Sequence, residues 1–230
     1  MAKVKYFEYG EKELEYLSER DPVLGEAIKQ IGYLNTEIFS NMFLAIINAI
    51  IGQQISMKAQ ETIWNRIIER FSPVTPESIS TINDNDLQQC GLSFRKVEYI
   101  KLVAKSVYDG SLDLDALKDL TDDEVAARLS KIKGVGVWTA EMLMIFSMNR
   151  MDVMSISDLA ILRGLRMLYH HRKITPKLFA KYKRRYSPYA SIASLYLWAI
   201  AEGACPEMKD FAPMTDAQKK AKVKKRKKLV

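Results

Sequence analysis

With 230 residues, 48% of them hydrophobic, the chain is long enough to bury a core as one domain or as two intimate halves. No run of about 18 apolar residues exists to span a bilayer, and the opening MAKVKYFEYGEKELEYL mixes charges throughout, so a membrane anchor and a signal peptide are excluded and an intracellular protein is expected. The net charge of +7 is unevenly held: residues 219–228, KKAKVKKRKK, carry eight Lys or Arg and no acid, which leaves 27 bases against 28 acids elsewhere.

Taken in chain order, nearly every segment has helical period and almost none alternates like a strand. PVLGEAIKQIG (22–32) opens a helix with Pro22 in its first turn. The stretch 39–53, FSNMFLAIINAIIGQ, is apolar nearly all round and predicts the buried central helix. An amphipathic helix over 57–71 follows and is stopped by SPVTP. Short helices are expected at 84–89, 95–108 and 113–118, then one over 121–132, started by a capping box of Thr121 and Glu124. Further helices are expected at 158–169, 176–185 and 188–202. The fold class is therefore all-α, with about ten helices and no repeat period. Residues 214–230 read as a basic, disordered tail that contacts phosphates, directs nuclear import or only aids solubility. A second basic stretch, 170–185 (HHRKITPKLFAKYKRR), has seven Lys or Arg and no acid, and lies inside the fold.

The stretch KGVGVWTAEML (133–143) brackets Val135 with Gly134 and Gly136 between two helical segments. A hairpin this tight needs backbone torsions or close approaches that a Cβ would obstruct, which accounts for both glycines. Val135 plugs between the helices and small Ala140 lets them approach. The turn and the first turn of the second helix then present backbone N–H groups, a seat for a phosphate that needs no basic patch. An ordinary helix–turn–helix corner is the plainer reading of a lone GxG. Lys131 and Lys133 add charge nearby.

With its flanks, KIKGVGVWTAEMLMIFSMNRMDVMSISDLAILRGL (131–165) resembles the helix-hairpin-helix signature of the base-excision DNA glycosylase superfamily, followed by that family's loop and aspartate. IIGQQISMKAQETIW (50–64) resembles its earlier helix pair and SPYASIASLYLW (187–198) its C-terminal helix. The similarity runs from about residue 39 to 205 and is greatest to the alkylpurine branch, typified by 3-methyladenine DNA glycosylase II. It implies a monomeric enzyme that flips a damaged nucleotide out of double-stranded DNA and hydrolyses its glycosidic bond. Two alternatives stay open: a glycosylase of the same fold for oxidised or mismatched bases, and a helix-hairpin-helix DNA-binding module without catalysis.

The resemblance implies roles for particular residues. Asp158 matches the catalytic aspartate, a single anion suited to a sugar that gains oxocarbenium character as its base leaves; read from the residues alone, Asp158 is equally a helix N-cap. The loop Met154-Ser155-Ile156-Ser157 departs from the family, whose members usually carry a proline here and often a second acid. Asp152 is the rival carboxylate. Trp138 occupies the position where strand-cutting relatives place a nucleophilic lysine, so the resemblance implies a monofunctional enzyme without a lyase step. Trp138, Trp198 and Met142 match the base pocket, where tryptophan faces suit a cationic alkylpurine; core packing is the other reading of Trp198. Gln53, Gln54, Ser56, Lys133, Gly134, Val135, Gly136 and Thr139 match DNA-contacting positions, with Gln54 at the wedge that fills the gap left by the flipped base. Helix capping is the alternative for Gln53, Gln54 and Ser56. Relatives also hold a monovalent cation, sodium or potassium, on hairpin carbonyls, which here are those of Ser130, Ile132 and Val135. No other cofactor is implied: Cys90 and Cys205 leave too few ligands for an iron–sulfur cluster, and adjacent His170 and His171 make a poor metal site.

The expected organisation is a glycosylase domain over 1–213. Within it, 39–157 forms a central helical subdomain ending in the hairpin, and 1–38 plus 158–213 a second, with the active cleft between them. Action in the cytoplasm and nucleoid, or in a nucleus, follows from the DNA substrate.

Overall fold

A computed structural model describes residues 5–213; the basic tail and the roles suggested for it lie outside the described residues. In chain order the elements are β1 (Lys5–Tyr6), α1 (Glu11–Arg20), α2 (Pro22–Ile31), β2 (Glu37–Ile38), α3 (Met42–Gly52), α4 (Met57–Phe71), α5 (Pro76–Thr81), α6 (Asp84–Gln88) and α7 (Phe94–Tyr108). A 3-10 turn (Asp115–Asp119) leads to α8 (Asp122–Leu129), α9 (Val137–Phe146), α10 (Leu159–Tyr169), α11 (Pro176–Tyr186) and α12 (Ala190–Glu202). Among the described residues the protein is all-α apart from one antiparallel strand pair of two residues each.

Side-chain caps decide where many of these helices begin. Asn41 accepts from the Leu44 N–H, Ser56 from Ala59, Ser93 from Lys96 and Thr175 from Leu178. Thr121 and Glu124 close the expected capping box on α8. That helix ends at Leu129 rather than near 132, because the Lys131 and Ile132 amides turn back three residues, to Arg128 and Leu129, and tighten the chain into the hairpin. Helices α1 and α5 lie outside the expectation. In α1, EKELEYLSER buries Leu17 alone, so its apolar periodicity is faint; α5, PESIST, is only six residues long.

The chain divides into two compact units, one of Met1–Glu8 with Asn35–Val153, the other of Tyr9–Leu34 with Met154–Val230. Residues 5–8 go with the first unit rather than with 9–34 because the backbone of Lys5 and Tyr6 pairs with Ile38 and Glu37, and the Phe7 N–H reaches the Thr36 carbonyl at 2.8 Å.

In the first unit α3 is the buried centre, with Phe43, Ala45, Ile46, Ile47, Ile50 and Ile51 enclosed and packed on α4, α7 and α9. Each buried isoleucine contributes about 1.5–3 kcal/mol by leaving water. The α8–α9 pair packs beside it, so the hairpin hangs from the core rather than from a loose loop.

The second unit is built on α12, buried along most of its length and packed against α10, α2 and α11. Asp21, 1% exposed, ends α1 and caps α2 through the Leu24 N–H. Its other oxygen receives the Tyr169 hydroxyl at 2.7 Å and Arg185 at 2.5 Å. A buried carboxylate is tolerable only when so satisfied. The Tyr186 hydroxyl lies 2.5 Å from that of Tyr169, and burial pushes both phenols well above the ordinary range.

Gly164 faces the backbone of α12: a Cβ there would collide with the Leu197 carbonyl. Gly164→Ala is therefore expected to force α10 and α12 apart and to cost about 3 kcal/mol, against the small gain that alanine normally gives inside a helix. Urea denaturation of the variant checks this.

Candidate functional site

The first unit brings the hairpin and the α3–α4 corner together. Gly134 sits at φ +92°, the left-handed region that glycine tolerates, and a Cβ on it would enter the Tyr99 ring. Its carbonyl accepts from the Gln53 side-chain amide at 2.6 Å. Lys96 donates to the carbonyls of Ile51 and Gln53, both at 2.8 Å, placing a cation on the C-terminal end of α3; burial depresses its pKa. Lys133 pairs with Glu98 at 2.5 Å and lies 5.7 Å from the centre of the Tyr99 ring. Helix α7 thus braces both loops through Lys96, Glu98 and Tyr99.

Val135 is buried between α8 and α9 as its position requires, and Ala140 is fully enclosed. Gly136 behaves differently from Gly134. Its φ is −86° and nothing lies within 4 Å of where its Cβ would be, so the expectation that chain geometry explains both glycines holds for Gly134 alone. Gly136 caps α9 and, as a glycine, brings no side-chain cap to the amides of that N-terminus. They form an electropositive backbone edge. Trp138 and Met142 follow one turn apart on α9; Trp138 is 45% exposed and Met142 half-buried.

Several expected DNA contacts have partners within the chain. The Gln53 amide is committed to Gly134, and Gln53 is the C-cap of α3. Ser56 caps α4. Thr139 is 6% exposed, so its side chain faces the core and only its backbone remains for a ligand. Lys133 keeps its exposure but spends its charge on Glu98. Gln54 stands apart, exposed at φ +59°. A non-glycine residue held in that region stores strain, which is most often found at ligand contacts.

In the second unit Asp158 is 7% exposed and starts α10. Its Oδ1 accepts from the Ala160 N–H at 2.8 Å, the Ile161 N–H at 2.9 Å and the Trp198 indole N–H at 3.2 Å. Both readings of Trp198, pocket wall and core filling, overlooked this bond. The residue is half-buried, and its indole N–H shares Oδ1 with the two helix amides. Gly164 and Leu197 explain the placement, since the close approach of α10 and α12 brings the residue after Leu197 to the residue that caps α10. A glycine in mid-helix, as in LRGL, was the available signal. Lys96 and Tyr99 left none, because their roles depend on a distant loop. Cys90 and Cys205 are buried free thiols.

A helix-hairpin-helix turn with a glycine-capped helix N-terminus, in an all-α chain that fixes an aspartate on a later helix cap, defines a class of DNA-repair protein. The chain belongs to the HhH-GPD superfamily of base excision DNA repair proteins, whose family model matches residues 47–189 and so takes in the second half of α3, the hairpin and Asp158. It is 37% identical over 162 residues to DNA-3-methyladenine glycosylase 1 of Schizosaccharomyces pombe, a match covering 68% of this chain and 71% of the relative. Its fold is similar to that of the DNA-3-methyladenine glycosidase of Bacillus halodurans, with a TM-score of 0.79, 33% identity and coverage of 88% and 95% of the two chains. A 3-methyladenine DNA glycosylase of S. pombe in complex with abasic DNA gives a TM-score of 0.74 at 32% identity, covering 83% of this chain and 97% of that one.

The two hairpin glycines should separate cleanly. Gly134→Ala is expected to lose about 2–3 kcal/mol of stability from the left-handed torsion and the Tyr99 clash, and Gly136→Ala less than about 0.5 kcal/mol. Equilibrium denaturation of both variants measures the difference.

Proposed function

We propose that this protein is a monofunctional DNA glycosylase that flips alkylated purines, 3-methyladenine foremost, out of the duplex and releases them by hydrolysis. The observation that carries the reading is the anchored carboxylate of Asp158, fixed on Oδ1 by two backbone amides and an indole N–H. The names of the relatives support the substrate class.

Each residue has a physical task in this scheme. The open N-terminus of α9 seats a DNA phosphate, and Gly136, where the chain itself leaves room for a side chain, is small because a backbone approaches from outside. Gln54 enters the gap left by the extruded base. Trp138 offers an exposed aromatic face to an electron-poor purine, and Met142, one turn on, adds a polarisable and undemanding wall. As the glycosidic bond breaks, positive charge grows on the sugar and Asp158 stabilises it or orients the attacking water. A tryptophan at 138 has no amine for a Schiff base, so water is the nucleophile and the strand stays intact. Trp198 acts through Asp158 as a positioning residue.

A monovalent cation fits the hairpin: the carbonyls of Ser130, Ile132 and Val135 would hold it, and the buried Ser130 hydroxyl has no hydrogen-bond partner among the described residues. Bound there, it would stiffen the turn and add positive charge near a phosphate. The enzyme acts as a monomer on DNA inside the cell.

Incubation with methylated DNA, followed by identification of the released bases, tests the substrate class directly; release of oxidised or mismatched bases in place of alkylpurines would overturn it. Asp158→Asn should bind duplex within a few-fold of wild type while base release falls on the order of 10²–10³-fold. Full activity in that variant would remove Asp158 from the mechanism. Borohydride added during turnover should trap no protein–DNA adduct, and a trapped adduct would refute hydrolysis by water alone. Trp198→Phe, which keeps a ring and loses the N–H, should lower kcat about tenfold with affinity for abasic DNA unchanged. A matching loss of affinity would make Trp198 a wall of the base pocket instead.

A further inference from the structure

Charge in this chain is strongly segregated. Outside 219–228 and 170–185, 20 Lys or Arg face all 28 acids, a balance of −8, while 170–185 alone holds seven bases and no acid. The structure sorts those seven, with Lys183 half-buried. Arg185 is drawn inward to Asp21, where it pins α11 to the start of α2. Phe179, Tyr182 and Tyr186 form the buried face of the helix, with Tyr182 stacked on Tyr169 at 4.3 Å between ring centres. Lys177, Lys181 and Arg184 recur at intervals of four and three, so they share one exposed face, with Arg172 and Lys173 exposed just before the helix. Among the described residues none of these five enters an ion pair, whereas Arg163, Arg166 and Arg185 in the same unit all do.

Helix stability accounts for Arg184, in the last turn of α11, but not for Lys177 and Lys181. Lys177 lies in the first turn, which contains no acid, against the preference of a helix N-terminus for negative charge. Lys177 and Lys181 are like charges one turn apart, each arrangement costing a few tenths of a kcal/mol. A rigid, unpaired cationic row on a helix anchored from behind is suited to a regular row of anions outside the protein.

We infer that the Lys177–Lys181–Arg184 face of α11 is a second DNA-contact surface, binding the phosphate backbone of duplex DNA without regard to sequence or damage. It rests on the reading of the protein as a DNA enzyme and adds to it. The hairpin grips by backbone amides with little net charge, so it brings little long-range attraction; α11 supplies that attraction and raises the local concentration of duplex. Its contribution falls steeply with salt, because each phosphate neutralised releases condensed counterions.

The test compares the full chain with the triple variant Lys177→Gln, Lys181→Gln, Arg184→Gln, in which glutamine keeps helix propensity and only charge is lost. Affinity for an undamaged duplex is measured across about 50 to 200 mM salt. The slope of log affinity on log salt should shrink by about 2 to 3, and binding at about 50 mM should weaken at least about tenfold. Base release at saturating DNA should match wild type. The control, Lys12→Gln, Lys29→Gln, Lys209→Gln, removes the same charge from other exposed positions of the same unit. A wild-type slope in the triple variant, or an equal loss in the control, overturns the proposal, the latter by showing that net charge alone is at work. If circular dichroism shows the triple variant unfolded, the single variant Lys181→Gln, with an expected slope change of about 0.9, takes its place. The probe contains no damaged base, so a failure to excise alkylpurines would strike the preceding reading and leave this measurement standing.

Discussion

The acid of this protein owes its position to the closeness of two helices. Gly164 lets α10 lie against the Leu197 carbonyl of α12, and at that separation the neighbouring Trp198 can deliver its indole N–H to Asp158, six residues before Gly164. Two amides of α10 complete the set on the same oxygen. A carboxylate held this way cannot swing, so in the mechanism proposed above the reacting sugar would be carried to it by extrusion of the nucleotide. The burial of α12 among its neighbours makes the arrangement stiff, since repacking one position would disturb several apolar contacts at once.

The first unit solves a different problem with similar economy. The edge proposed to face DNA is made of backbone, and backbone edges keep their shape only if the loops that bear them are fixed from behind. Gln53 ties the α3–α4 corner to the hairpin, and α7 holds both through Lys96, Glu98 and Tyr99. Polar side chains that look available in the sequence are therefore consumed in building the edge. Facing outward are Gln54 at a positive φ and an exposed Trp138. Aromatic surface and amide dipoles act at contact distance, whereas the charges of α11 act over about a Debye length, so in the scheme proposed above attraction and recognition fall to separate elements.

Sequence alone fixed much of the framework, because its signals are local. The N-cap residues, the capping box at Thr121, the apolar run of α3 and the glycine-bracketed turn each involve neighbours within a few positions, and physical chemistry at that range is readable from order. The placement of Asp158 at a helix start was legible for the same reason, as was the superfamily, through motifs arriving in order. Helices α1 and α5 were missed because one buries a single residue and the other is a single short segment; their stability comes from neighbours, not from pattern.

Tertiary structure decided which polar groups are spent and which remain. That Gln53 braces a turn 81 residues away, that Thr139 points inward, that Gly136 is unhindered while Gly134 is confined, and that Trp198 bonds the acid 40 residues before it are facts about distant partners. A hydrogen bond or a steric limit depends on a few tenths of an ångström between such partners, and the order of residues carries no record of that distance.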